Sequence, residues 1–376
     1  MSDSSELTGI VATLCEIETW PLARWPERFP QARPFGYLNT HVPGEILHAA
    51  GFTPLHVFGC RRPPQRAETR LPGFTCWLVR SALDQAMAGD LDFLAGMALA
   101  HTCDSAQALA DIWRLAVPAV PVLTLGAPVD LSAAGAPAFL AASLARFCAQ
   151  VSALAGHPVT DADLRASIVL YNQVRGLVSR LYTLSDRLPS AALLAALRAG
   201  HLSPPETYRD LLAALVAALE AADSPVAPDA PRLVVVGAHL DDTTLYQAVA
   251  EAGGRVVGDL LDLGRIHYSG LAAESGDPLA ALAGRYLAQA PIAAKTHPGR
   301  RRDDALLALV RQRAAAGVIF APQKFCEPHG FDYVPLKNAL DRAGVPHLLV
   351  ELEQAQVSGQ IRTRLQAFIE MLVPHQ

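Results

Sequence analysis

Residues 233–257 read LVVVGAHLDDTTLYQAVAEAGGRVV and carry the strongest signal for the fold class. The stretch opens on consecutive apolar residues at 233–236, which is typical of a parallel strand that helices cover on both faces. A helical pattern follows, and Gly253 and Gly254 then precede a second strand-like run at 255–257, with β-branched valines at 256 and 257. Since glycine accepts the left-handed conformation that ends many helices, the stretch predicts a strand, a helix and a second strand.

The same succession of helix end, glycine and strand occurs twice more, at 48–57 and 342–350. Short apolar runs alternate with helical stretches along the chain, and seven of them are predicted strands: 53–58, 97–101, 120–125, 233–237, 255–260, 317–321 and 347–352. This alternation predicts an α/β fold with two Rossmann-like (flavodoxin-like) lobes, each built on a parallel sheet.

A chain of 376 residues is long enough for two domains. Its middle part shows only helical periodicity, and three prolines lie between residues 222 and 231, which is typical of a linker. We therefore predict an N-terminal helical segment (1–35), a first α/β lobe (36–136), a helical segment (137–222), a linker (223–231) and a second α/β lobe (232–376).

Composition excludes some classes of protein. The net charge of −5 argues against a nucleic-acid binder that neutralises phosphates, and 51% hydrophobic residues argue against disorder. The apolar stretch at 115–145 contains four prolines, so we expect a buried strand and a helix there, not a membrane span. Residues 1–9 have neither a basic flank nor an apolar core, so we expect no signal peptide and a cytoplasmic protein.

Six cysteines are the candidate metal ligands, and none of them forms a C-x-x-C pair. A metal site must therefore combine distant segments. Cys60, Cys103 and Cys326 follow predicted strands, at the edge of a parallel sheet where ligands bind, and Cys76 opens a helical pattern. A helix N-terminus stabilises a thiolate, although each of these residues is also compatible with a buried structural thiol. The two remaining cysteines, Cys15 and Cys148, lie inside helical patterns and are predicted core residues.

An ordered set of motifs carries a resemblance to a known family. The segments 72–81 (PGFTCWLVRS), 101–105 (HTCDS), 112–114 (IWR) and 324–328 (KFCEP) stand in this order along the chain. With several weaker matches between residues 36 and 372, they resemble the 2-hydroxyacyl-CoA dehydratase and benzoyl-CoA reductase family.

The resemblance implies a [4Fe-4S] cluster in the cleft between the lobes. It implies Cys76, Cys103 and Cys326 as ligands, with Cys60 as a backup ligand or a buried thiol. Three protein thiolates would leave one iron open to a substrate. The resemblance also implies one-electron reduction of an acyl-CoA thioester, a homologous sister subunit in a hetero- or homodimer, and an ATPase activase of the actin-like fold with its own cluster.

Within the family, Asp104, Ser105 and residues 112–114 favour an iron-sulfur subunit of a benzoyl-CoA reductase-like enzyme. A 2-hydroxyacyl-CoA dehydratase subunit is the alternative, and a non-catalytic cluster-binding partner subunit is the second alternative. Asp262 stands where related proteins often carry cysteine, which argues against a sulfur-bridged double cluster and is also compatible with a subunit that acts beside a catalytic sister.

Proton delivery is assigned to residues beside the cysteines. His101 and Glu327 are the candidate proton donors, and the alternative for His101 is a residue that ends a strand and bonds to the backbone. His41 and Glu45 are expected to cap a helix or to face solvent, and residues 300–302, three consecutive arginines, are expected to form a solvated turn.

Overall fold

The computed structural model describes residues 2–222, 226–289, 291–353 and 357–373, so residues 223–225 of the predicted linker lie outside the described residues. Two sheets of four strands each organise this part of the chain. The first sheet contains β1 (Pro34–Tyr37), β2 (Thr53–His56), β3 (Met97–Ala100) and β4 (Val122–Leu125). The second contains β5 (Arg232–Gly237), β6 (Arg255–Leu261), β7 (Gly317–Phe320) and β8 (His347–Leu349).

All strand pairs are parallel, with the orders β2-β1-β3-β4 and β6-β5-β7-β8. In each sheet the second strand of the lobe pairs on one side of the first strand, and the third and fourth strands follow on the other side, as in flavodoxin-like folds. The predicted α/β fold with two Rossmann-like lobes is therefore confirmed, and the two lobes are wound alike.

Helices surround the sheets and fill the segment between the lobes. The first lobe and its N-terminal extension contain α1 (Ser2–Thr19), α2 (Trp25–Arg28), α3 (Gly44–Ala49), α4 (Trp77–Met87) and α5 (Asp104–Ala116). The connecting segment contains α6 (Ala136–Ala155), α7 (Asp161–Thr183), α8 (Ser190–Ala199) and α9 (Pro205–Ala221). The second lobe contains α10 (Thr244–Glu251), α11 (Pro278–Ala288), α12 (Arg302–Gln312), α13 (Glu327–Ala343) and α14 (Gly359–Leu372).

Alternate residues of β5 pack into different hydrophobic cores. Leu233 and Val235 of β5 pack with α10 and α14, whereas Val234 and Val236 pack with α12 and α13. Because side chains of a strand alternate between the two faces of the sheet, a strand covered on both faces must be apolar throughout. The apolar run of 233–236 is thus explained by burial on both sides.

Helix α6 follows the buried strand β4, as the sequence predicts for this apolar region. By length and composition alone α6 is apolar enough to cross a membrane, and it is the one such helix of 18 residues or more in the described ranges. Its Leu140, Leu144 and Phe147 are buried in the core of the first lobe. These three residues therefore serve packing in this fold.

Candidate metal centre between the lobes

A cavity of about 90 Å³ lies where the carboxyl ends of the two sheets meet. Residues that follow β1, β3, β5, β6 and β7 all contribute to its walls. Both sheets reverse their winding direction there, which is where open α/β sheets bind their ligands. Three thiols line the cavity, those of Cys76, Cys103 and Cys326. Its apolar walls include Leu38, Leu78, Val79, Leu263 and Ile292.

Each of these three cysteines is the residue at the N-terminus of a helix. Cys76 precedes α4, Cys103 precedes α5 and Cys326 precedes α13. The Cys103 thiol accepts a hydrogen bond from the backbone amide of Ala106, with 3.4 Å between the nitrogen and the sulfur. Since the first amides of a helix have no partner within the helix, three sets of donors converge on one cavity from two lobes.

A strained turn directs the third thiol. Phe325, immediately before Cys326, has a φ of 64°, in the left-handed region that non-glycine residues seldom adopt. The amide of Cys326 closes this turn by donating to the carbonyl oxygen of Gln323 at 3.0 Å. Such strain concentrates at functional sites, where surrounding structure maintains it.

Burial keeps the thiols protonated when nothing else is bound. Burial raises the pKa of Cys76 to about 11, and it also raises the pKa values of Cys103 and Cys326 above their ordinary range. The neighbouring thiols of the cavity raise the pKa values of Cys76 and Cys326 further, while helix amides act in the opposite direction. A positively charged group that replaces the protons would offset the cost of burying the thiolates, which is how metals bind cysteine sites.

The spacing of the donors argues against a single ion. Among the described residues, no three His, Cys, Asp or Glu side chains lie close enough together to hold one metal ion. A tetrahedral ion with bonds of about 2.3 Å gathers its sulfurs to within about 4 Å of one another. A multi-iron cluster instead binds each thiolate to a different iron, and all-thiol donor sets are typical of such clusters. The three thiols therefore match such a cluster by donor type.

Three polar side chains of the cavity contain buried atoms without a hydrogen-bond partner. The atoms without a partner are the two side-chain amide atoms of Gln323, Nε2 of His239 and Oδ1 of Asp262. An unpaired buried amide or carboxylate is costly, so such atoms indicate an absent binding partner. Sequence reasoning missed Gln323 and His239, although both stand just beyond the carboxyl end of a strand.

Asp262 is held in place from its other side. It begins a π-helical turn (Asp262–Ile266) directly after β6. Its Oδ2 lies 3.2 Å from Nε2 of His329, and its Oδ1 lies 3.8 Å from Nη1 of Arg302. Arg302 is buried and also pairs with Asp332 at 2.8 Å. The expected solvated turn at 300–302 is therefore wrong for its third residue, which has two acidic partners in the interior.

The remaining candidates lie outside this cavity. His101 and Glu327 are neighbours of lining residues, but neither lines the cavity, and Glu327 is exposed as the first residue of α13. The amide of His101 instead donates to the carbonyl oxygen of Leu125 at 2.9 Å. Cys60 lines a second cavity between the lobes, where the Ser81 hydroxyl donates to its sulfur at 3.6 Å.

The expectation that His41 and Glu45 cap a helix or face solvent is wrong. Both are buried, and the Glu45 carboxylate forms an ion pair with the buried guanidinium of Arg175 on α7. Burial alone would raise the pKa of Glu45, but Arg175 and Arg285 hold it below its ordinary value. The partner lies 130 residues away in the sequence, so local pattern did not predict the pair.

Comparison with known proteins assigns the family. The family profile described as 2-hydroxyglutaryl-CoA dehydratase, D-component, matches residues 39–372, and the chain belongs to this family. The chain is 25% identical to the (R)-phenyllactyl-CoA dehydratase beta subunit of Clostridium sporogenes, over 90% of this chain and 91% of that protein.

Two further relatives come from different enzymes. The chain is 27% identical to one of the subunits of the benzoyl-CoA reductase of Thauera aromatica, over 96% of both chains. It is 28% identical to the lactoyl-CoA dehydratase subunit beta of Anaerotignum propionicum, over 90% of this chain and 91% of that protein. The relatives are named as subunits of dehydratases and of a reductase, which supports a role in an enzyme of this kind.

Proposed function

We propose that this chain is the iron-sulfur subunit of an enzyme that reduces or dehydrates an acyl-CoA. The observation that carries the proposal is the convergence of Cys76, Cys103 and Cys326, each at a helix N-terminus, on one cavity between the lobes. These three residues would hold a [4Fe-4S] cluster. When bound, such a cluster supplies one-electron transfer at low potential.

The chain's own residues prepare the cavity for this group. The amides at the starts of α4, α5 and α13 lower the cost of thiolate charge, since they oppose the effect of burial on each thiol. The apolar walls limit the polar contacts available to sulfur, which favours a negative potential. Because Cys76 and Cys103 belong to the first lobe and Cys326 to the second, the site is complete only while the lobes stay together.

For the reaction, we propose the reduction of an aromatic acyl-CoA, as in benzoyl-CoA reductase. A homologous sister subunit and an actin-like ATPase activase that delivers the electron complete the proposal. Similarity over 96% of the benzoyl-CoA reductase relative supports this assignment. The second candidate is the dehydration of a 2-hydroxyacyl-CoA, which the names of two dehydratase beta subunits support.

The size of the cavity favours a division of labour between subunits. Pockets for organic ligands typically measure about 300–1,000 Å³. The thiol cavity, at about 90 Å³, is smaller than that and suits a compact inorganic group. This supports the third candidate, a cluster-binding partner whose sister subunit holds the substrate.

The experiment begins with the chain purified without oxygen, alone and with its sister subunit. We expect a brown protein with about four irons and about four sulfides per chain. A colourless, iron-free protein after anaerobic reconstitution would contradict the proposal. Addition of reduced activase and ATP, with benzoyl-CoA in one assay and a 2-hydroxyacyl-CoA in another, then separates reductase from dehydratase. Iron in the chain alone, with turnover only after the sister subunit is added, supports the partner subunit.

A further inference from the structure

We propose that the carboxylate of Asp262 is a fourth protein ligand to the cluster, so that this subunit holds a closed cluster and relays electrons to its sister. The assignment rests on the proposed function, because it requires a cluster in the thiol cavity. It goes further by naming an oxygen ligand and the consequence for substrate access.

The position of Asp262 supports this assignment. Asp262 follows β6 directly and lines the same cavity as the three cysteines, at the carboxyl end of the second sheet. It is the one carboxylate among the residues that line this cavity in the described part of the chain. Its Oδ1 is buried and accepts no hydrogen bond. A buried carboxylate oxygen without a donor is costly, and a bound cation would compensate for it.

The orientation of the Asp262 carboxylate also supports this assignment. The other oxygen, Oδ2, is 3.2 Å from Nε2 of His329, and the guanidinium of Arg302 lies 3.8 Å from Oδ1 and pairs with Asp332. Metal-binding carboxylates are commonly fixed by outer partners, and here His329 contacts Oδ2 while Oδ1 makes no hydrogen bond. His329 belongs to α13, the helix that begins after Cys326, so a single helix orients both the carboxylate and one thiol.

A different side chain competes for the same role. His239 also lines the cavity and has an unpartnered Nε2, and histidine is a known ligand of some clusters. Its Nε2, however, lies 3.5 Å from Oδ1 of Asp241, which attracts an N–H donor and not a metal. The nearest charged group to Oδ1 of Asp262 is instead the guanidinium of Arg302, which lies 3.8 Å away and beyond hydrogen-bonding distance, so no hydrogen bond occupies this oxygen.

The chemical consequence is closure. Three thiolates leave one iron open, whereas three thiolates and a carboxylate complete four protein ligands. Carboxylate is a harder ligand than thiolate, and it marks one iron as different from the other three. Together with the small cavity, this ligand set would give a cluster that exchanges electrons without binding substrate.

The test uses the anaerobically purified chain with its sister subunit and three variants. Asp262→Ala removes the ligand, Asp262→Cys replaces it with a thiolate, and Asp332→Asn is the matched control, because Asp332 also pairs with Arg302 but does not line the cavity. Iron content, the Mössbauer spectrum and the electron paramagnetic resonance spectrum of the reduced cluster are recorded. Each protein is then titrated with 2-mercaptoethanol, a small thiol that binds to open iron.

We expect Asp262→Ala to respond to the thiol at a concentration at least tenfold below that needed for the unchanged protein. Asp262→Cys should be unresponsive and lose the distinct iron of the Mössbauer spectrum, and Asp332→Asn should match the unchanged protein. Loss of iron from Asp262→Ala with retention in Asp262→Cys also supports ligation.

Identical spectra and thiol responses in Asp262→Ala and the unchanged protein would overturn the assignment. Loss of the cluster from Asp262→Cys, or equal changes in Asp332→Asn and Asp262→Ala, would also overturn it. In those cases the unchanged protein still carries iron, so the proposed function survives. Iron in none of the proteins instead contradicts the proposed function and this assignment with it.

Discussion

The thiol cavity and the cavity beside Cys60 both lie between the lobes near strand ends, and they differ in nearly every other respect. The thiol cavity is small, about 90 Å³, and mostly apolar, whereas the cavity beside Cys60 measures about 570 Å³ and is lined by charged side chains. Those charges form pairs, Arg61 with Asp242 and Arg198 with Glu18. A cysteine after a strand therefore does not by itself indicate a metal centre. Convergence of several helix N-termini from both lobes distinguishes the thiol cavity.

The largest expected effect is the loss of bound iron, which distinguishes the cysteine of the thiol cavity from that of the charged cavity. Cys103→Ala should lose nearly all bound iron, because it removes one of three thiolates from the site. Cys60→Ala, the matched control, should keep its iron, because its sulfur lies in the other cavity. Iron and sulfide content after anaerobic purification measure both variants. Equal iron loss in the two variants would show that the cavities do not differ in this way.

The charged side chains of the cavity beside Cys60 are expected to stabilise the fold. Arg198 is buried on α8, pairs with Glu18 of α1 at 2.9 Å and lies over the ring of Phe58. Arg198→Met should lower the free energy of unfolding by about 3–5 kcal/mol, because it leaves the Glu18 carboxylate buried and unpaired. Urea unfolding measures the loss. The double variant with Glu18→Gln should recover part of it, and iron per folded chain should be unchanged in both.

The strand pattern was predictable from sequence because most strands are apolar on both faces. All seven predicted strands have a counterpart, but the sequence pattern did not predict β1, Pro34–Tyr37. Its proline and glycine are unusual in strands. Gly36 is required by packing, since a Cβ atom there would lie 2.7 Å from the sulfur of Met97. Such a tertiary requirement is invisible in a local pattern.

The site was partly predictable for a similar reason. A cysteine that precedes a helical pattern or follows a strand can be recognised locally, and motif order indicated which three would converge. The roles of Glu45 and Arg302 depend on partners from other elements, Arg175 and Asp332, and Asp262 acquires its partner His329 from α13. No local pattern specifies those contacts, which arise when the lobes and the connecting helices pack.

Acid should weaken the wall between the two cavities. His201 is buried there: its neighbour Leu202 lines the charged cavity, and Nε2 of His201 lies 2.8 Å from the carbonyl oxygen of Leu263, which lines the thiol cavity. Burial lowers the pKa of His201 to about 4, from an ordinary value of 6.5. The unfolded chain therefore binds a proton between these values and the folded chain does not, so stability is full above pH 6.5 and falls towards pH 4.

For His201 alone, the loss is on the order of 3 kcal/mol. His201→Gln should remove this share of the pH dependence, measured as the difference in the free energy of unfolding between pH 7 and pH 4. His157→Gln, at an exposed position, is the control and should leave the pH dependence unchanged. If His201→Gln does not alter the difference in the free energy of unfolding between pH 7 and pH 4, another group is responsible for the acid sensitivity.

The smallest predicted effect concerns the unpaired amide of the thiol cavity. Gln323 is 3% exposed, and neither of its amide atoms has a hydrogen-bond partner. Gln323→Leu should stabilise the iron-free protein by about 1–3 kcal/mol, because the apolar side chain avoids burying an unsatisfied amide. The iron-loaded protein should gain less, since the amide then has a bound group to contact. Urea unfolding of both forms without oxygen measures the two gains. An equal gain in both would show that the amide does not face the bound group.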